Sequence, residues 1–203
     1  LAENGADVAF TYQRAKEKAE ELVKTIANLG RKAVAIQADS ADPDAIARSV
    51  TEAVSQLGGI DILVNSAAIG HMGTIVDLDL NEYQTLMDVN VRAPVLFAKH
   101  VIPHLGEGGR IITIGSGLGE KVPFPGITPY AMSKAALTSF TRGLSRDLGP
   151  QGITVNLVQP GSTNTDANPA DGAAADFQRS MTSLGRYGEP REEIGRASCR
   201  ERV

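Results

Sequence analysis

Short apolar runs that alternate with longer amphipathic ones constrain this chain more than any other feature. The runs at 8–12, 32–37, 60–64, 110–114 and 153–158 are five or six residues long, and the last three are rich in Ile, Leu and Val. Strands of that composition are buried on both faces, which requires helices above and below a parallel sheet. The segments between them supply the helices. Residues 16–29 place Ala19, Leu22, Val23 and Ile26 at helical spacing and close at Gly30. Asp42-Pro43 opens a helix running to Leu57, with proline where its missing N–H costs nothing. Residues 81–105 read as one long helix interrupted by Pro94 and Pro103, and residues 130–148 as a helix ending at Gly149-Pro150. The expected fold class is α/β, a doubly wound parallel sheet in one domain, and 203 residues suit that size.

Composition excludes other classes. Hydrophobic residues are 42% and charged residues 22%, as in ordinary globular chains. The net charge of -4 and the lack of a basic block argue against nucleic acid as a partner. No stretch is apolar for long enough to span a membrane. The single cysteine, Cys199, allows no internal disulfide. A cytoplasmic protein without membrane association is expected.

Both ends read as incomplete. Leu1 to Gly5 has a glycine where a helix C-cap belongs, so an element is expected before it. From Ile194 to Val203 the text has neither apolar period nor turn logic, and its back-translation resembles a sequencing-adapter read. The expected division is therefore a partial domain at 1–193 and a non-native tail at 194–203, with no catalytic role for Cys199.

In such sheets ligands bind beyond the carboxyl ends of the strands. The residues found there are Asp39, Asn65, Ser116 and Pro160-Gly161. Tyr130 and Lys134 lie four apart at a helix start and so share one face. A free tyrosine, with a pKa of about 10, is a poor base at neutral pH. A neighbouring ammonium favours the phenolate, and the pair could pass a proton to or from a substrate oxygen. Ser116, fourteen residues earlier, can donate to a carbonyl oxygen. Asn90 sits mid-helix, where asparagine has poor propensity, which points to a buried polar role.

Taken together in this order and spacing, Asp39, Asn65-Ser66-Ala67-Ala68, Asn90, Ser116, the Tyr130–Lys134 motif and Pro160-Gly161 resemble the short-chain dehydrogenase/reductase family. The nearest likeness is to its 3-oxoacyl-[acyl-carrier-protein] reductase-like group, over residues 1–193. The resemblance implies a Rossmann-like fold and an NAD(P)H-dependent oxidoreductase that interconverts a carbonyl and a secondary alcohol. It implies that Tyr130 is the general acid, that Lys134 lowers its pKa and holds the nicotinamide ribose, that Ser116 binds the carbonyl, and that Asn90 holds a relay water. Asp39 would bind the adenine amino group, with Asn65 and Ala67 under the adenosine. Pro160, Gly161, Thr163 and Thr165 would line the carboxamide. The implied partners are a small-molecule carbonyl or alcohol and further copies of the chain, as a dimer or tetramer paired through the helices of 81–105 and 130–148. No metal is implied.

Two departures stand out. Ala68 adds a methyl where relatives usually carry glycine. The family's first strand, its glycine-rich turn and its final strand have no counterpart here. Without that central strand, the strands at Val8 and Ile60 lose a shared neighbour, so this fragment is expected neither to fold stably nor to bind cofactor. On cofactor choice, Tyr12 stands where NAD-preferring relatives carry an acid, and Arg14 follows it. NADP(H) is therefore expected over NAD(H).

A serine hydrolase at Gly115-Ser116-Gly117 fails, because His71, His100 and His104 all precede the serine and the nucleophile elbow is absent. The alternative that remains is a non-enzymatic nucleotide-binding sensor or regulator on the same fold. The segment 163–187, small and rich in Gly and Pro, is expected to be a mobile flap or short helices. It offers no basic cluster for a large anionic substrate.

Overall fold

The computed structural model describes residues 1–192, so the expected non-native tail from Ile194, with Cys199, lies outside the described residues. After a 3-10 turn at Ala2–Asn4, capped by Gly5 in the left-handed region, the chain alternates as its pattern requires. The strands are β1 (Val8–Tyr12), β2 (Ala33–Gln37), β3 (Ile62–Asn65), β4 (Arg110–Ile114) and β5 (Thr154–Val158). The helices are α1 (Lys16–Asn28), α2 (Pro43–Leu57), α3 (Leu80–Met87), α4 (Ala93–Val101), α5 (Thr128–Leu148) and α6 (Ala175–Ser180). Asp42 caps α2 by accepting from the Asp44 N–H, a contact worth about 1 kcal/mol. Gly58, at φ 85°, ends the same helix where a side chain would be strained.

Every strand pair is parallel, and the strands form two sheets, ordered β1-β2 and β3-β4-β5. No described ladder joins β1 to β3; instead α2 packs on both β1 and α4, and the Arg92 guanidinium donates to the Ala41 carbonyl. The main core lies between β4, β5, α4 and α5, where Ala98, Ile111, Leu148, Ile153 and Val155 meet. Within the three-stranded sheet β4 is paired on both sides, around the fully buried Ile111.

The long helix expected at 81–105 is resolved differently. It starts one residue earlier, at Leu80, because Asp79 accepts from the Asn81 and Glu82 N–H groups. It is broken before Pro94 rather than at it. Residues Asp88–Arg92 form a single π turn, and Pro94 falls in the first turn of α4, where a missing N–H is tolerated. Of the two expectations for 163–187, short helical structure holds. The segment contains α6, buries Ala175 and Tyr187, and is tied internally by the reciprocal amides of Asn168 and Gln178.

Candidate active site

The first turns of α5 organise the site. Tyr130 is half-buried, and Lys134, one turn on, is only 5% exposed. The Lys134 ammonium lies 5.9 Å from the Tyr130 ring centroid and donates to the carbonyl of Ile114, at the end of β4, at 3.1 Å. Burial pushes the Lys134 ammonium down to about 8. An ammonium has three donors, and here one has a protein partner. A buried cation so under-supplied is matched by hydroxyl oxygens such as those of a ribose.

Two residues beyond Ile114, the chain bends at Ser116. Its Oγ accepts from the Leu118 N–H at 3.2 Å and starts a 3-10 turn, Gly117–Gly119. With its lone pair engaged, the hydroxyl keeps its own hydrogen to donate. That turn rests directly on α5. A Cβ built on Gly119 would stand 3.0 Å from the backbone of Lys134 and Ala135, so glycine sets the approach of Ser116 to the tyrosine helix.

Asn90 enters from the π turn and is 1% exposed. Its Oδ1 accepts from the Ile69 N–H at 2.9 Å, and its Nδ2 donates to the Ile69 carbonyl at 2.9 Å and to Ser133 Oγ at 3.0 Å. Both amide hydrogens of Asn90 and one lone pair of its Oδ1 are thus engaged by protein. Asn65, at the end of β3, is buried and donates to Thr113 Oγ1 on β4 at 3.3 Å, while Ala67 is exposed beyond it. The Pro160 carbonyl, after β5, accepts from the Gly117 N–H, and the Thr163 hydroxyl donates to the Gly161 carbonyl. Thr165, paired with Asn168, is exposed.

The remaining sequence-derived residues sit on the other sheet. The Tyr12 carbonyl ends the β1-β2 ladder by accepting from the Ala38 N–H, and Arg14 is exposed just past it, without an ion pair among the described residues. Asp39 is exposed and accepts from the Ala41 N–H with one carboxylate oxygen. The structure therefore brings Asn90, Ser116, Tyr130 and Lys134 around the first turns of α5, and leaves Tyr12, Arg14 and Asp39 at the strand ends of the two-stranded sheet. Sequence reasoning missed Ser133, Ile69 and the Ile114 carbonyl. Only Ser133 carried a local signal, as the one hydroxyl between Tyr130 and Lys134. A cavity of about 480 Å³ lies beside this site rather than in it, lined by Ile69, His71, Asn81 and Glu82 among others. His71 is mostly buried there, and no group of three metal-binding side chains converges among the described residues.

Comparison with known proteins gives a consistent result. A family described as enoyl-(acyl carrier protein) reductase matches residues 1–199. The cyclic-di-GMP-binding biofilm dispersal mediator protein of Escherichia coli (strain K12) is 41% identical over 192 residues, covering 95% of this chain and 77% of the relative. A short-chain dehydrogenase from Burkholderia cenocepacia J2315, solved in complex with NADP, aligns with a TM-score of 0.95 at 50% identity, over 98% of this chain and 81% of that one. A blue fluorescent protein from a metagenomic library, in complex with NADPH, aligns with a TM-score of 0.94 at 46% identity, over 97% and 81%. Other curated relatives are covered over 63% of their own length.

Proposed function

This chain belongs to the short-chain dehydrogenase/reductase family, an oxidoreductase family, and from that premise we propose that it interconverts a carbonyl and a secondary alcohol with NADP(H), using Tyr130 as the general acid and base. The observation that carries this reading is the buried Lys134 ammonium above the Tyr130 ring, with one carbonyl partner and two donors to spare. When bound, the nicotinamide supplies the hydride. The chain's own groups do the rest. The Tyr130 hydroxyl gives its proton to the carbonyl oxygen in reduction and takes it back in oxidation. The Lys134 charge lies beside the phenol, and its free donors hold the ribose. The Ser116 hydroxyl, its lone pair already used by Leu118, donates to the same substrate oxygen.

Asn90 takes a modified role in this reading. Both of its amide hydrogens are taken by protein, so in this reading the relay water is held by its backbone. Pro94 has no N–H, so the Asn90 carbonyl lacks its usual helical donor four residues on. That carbonyl is the group to hold the water. Asn65 and Ala67 underlie the adenosine, Asp39 meets the adenine with its free oxygen, and Pro160, Gly161, Thr163 and Thr165 line the carboxamide. The substrate is a small molecule, and the chain acts as a dimer or tetramer through α3, α4 and α5, on which Val95 and Met132 are apolar and exposed. Among the described residues no helix is long and apolar enough to cross a membrane. A cytoplasmic location belongs to this proposal.

NADP(H) preference rests on Tyr12 in place of an acid and on the exposed Arg14, which has no ion pair among the described residues and can meet a 2′-phosphate. Several structural relatives were solved with NADP or NADPH, which supports it. The test is NADPH consumption by the longest natural polypeptide that carries this sequence, against a panel of ketones. Turnover is expected with NADPH, and Arg14→Ala should cut the NADPH-over-NADH preference by about tenfold, the loss of one charge-assisted contact. Equal use of both cofactors by the parent would refute the preference. One observation favours a second reading, a regulator that binds a nucleotide without turnover: the relative named as a cyclic-di-GMP-binding biofilm dispersal mediator. NADPH binding without turnover across the panel would favour it.

A further inference from the structure

Ser133 lies between the two residues assigned to proton transfer, yet it points away from them into the protein. It is fully buried. Its hydroxyl donates to the Tyr130 carbonyl at 2.7 Å and accepts from Asn90 Nδ2 at 3.0 Å. Asn90 in turn grips both the N–H and the carbonyl of Ile69 at 2.9 Å. Three separate pieces of chain are thereby fastened in series: the loop after β3, the π turn between α3 and α4, and the first turn of α5.

The consequence is geometric. The loop after β3 follows Asn65 and contains Ala67, both assigned above to the cofactor, and α5 carries Tyr130 and Lys134. From the geometry we infer that Ser133 is a positioning residue, which sets the separation between the cofactor loop and the Tyr130 hydroxyl by holding Asn90 against the tyrosine helix. This rests on the proposed function. Ser133 touches no reacting atom, and its effect passes entirely through Asn90 and Ile69. The design leaves little tolerance. Asn90 has one N–H that only Ser133 satisfies, and an alanine at 133 strands it in a site that is 1% exposed. Misplacement of a reacting group by about an ångström can cost up to about a hundredfold in rate.

The test compares Ser133→Ala, Ser133→Thr, Asn90→Ala and Asn90→Ala/Ser133→Ala with the parent in the longest natural polypeptide carrying this sequence. Ser133→Ala should lower kcat about tenfold with NADPH affinity unchanged within about threefold, and Ser133→Thr, which restores the hydroxyl, should recover most of that loss. The double variant should be no slower than Asn90→Ala alone, because both substitutions cut the same chain of contacts. A kcat within twofold of the parent, or a parallel fall in kcat and NADPH affinity, would overturn the proposal. A second readout does not depend on turnover. The Ile69 amide should exchange its hydrogen at least about tenfold faster in Ser133→Ala than in the parent, while amides of β4 are unchanged. Unaltered Ile69 exchange overturns the proposal. If the parent itself shows no turnover, the enzymatic reading fails and the Ile69 exchange alone decides whether the latch exists.

Discussion

Tyr130→Phe lowers turnover by about a thousandfold while leaving NADPH affinity within about threefold. The substitution removes only the hydroxyl. The ring stays half-buried at the start of α5 and keeps its place beneath the Lys134 ammonium. Neither Ser116 nor Lys134 can take over. The serine hydroxyl is far too weak an acid, and the ammonium is anchored to the Ile114 carbonyl. Because the phenol acts on the proton and not on the cofactor, kcat falls and binding does not. Steady-state NADPH absorbance and cofactor fluorescence read the two quantities separately. A residual kcat within tenfold of the parent would remove Tyr130 from its role.

The second large effect is expected at Lys134, and it runs in opposite directions for rate and stability. Lys134→Met should slow reduction by about a hundredfold, because it removes both the buried cation beside the phenol and the donors proposed to hold the ribose. NADPH affinity falls with it, which separates this variant from Tyr130→Phe. Thermal stability at neutral pH should hold or rise, since methionine fills the space without a desolvated charge. The sign follows from burial. The folded-state pKa is about 8, below the unfolded value of 10.5. The folded chain therefore binds fewer protons between those values, and stability rises with pH across that window. The burial penalty is fully present below about pH 8 and relieved above it, so any stability advantage of Lys134→Met is largest near neutral pH and shrinks towards pH 10. The same loss of charge should make the parent's reduction rate fall as pH rises past about 8, and that limb should be missing in Lys134→Met. A Tm lower than the parent's at pH 7, or a retained limb, would contradict this account.

What could be read in advance follows the range of the interactions involved. Tyr130 and Lys134 were legible because a helix places residues four apart on one face, which needs no tertiary information. The strands were legible because apolar runs of five have few other uses in a chain of this composition. Helix ends were legible where a side chain caps its own helix, as Asp42 does, and Gly5 announced a left-handed cap. Pro94 misled, because proline marks a break without saying on which side it falls. The widened turn at Asp88–Arg92 depends on Asn90 being drawn towards Ile69 and Ser133.

The sequence by itself determined the α/β alternation, the parallel pairing that long crossovers demand, and the placement of Tyr130 and Lys134 on one helix face, because each rests on local spacing or on the hydrophobicity of one segment. The tertiary structure alone decided that the Ile114 carbonyl anchors Lys134, and that Asn90 spends both its amide hydrogens on Ile69 and Ser133. Those contacts join residues 20, 21 and 43 positions apart. Their partners are a backbone carbonyl, a backbone amide and a common hydroxyl, groups that nearly every residue or many residues offer. No local pattern marks which of them will meet, and only the packing of α5 against β4 and the π turn selects them.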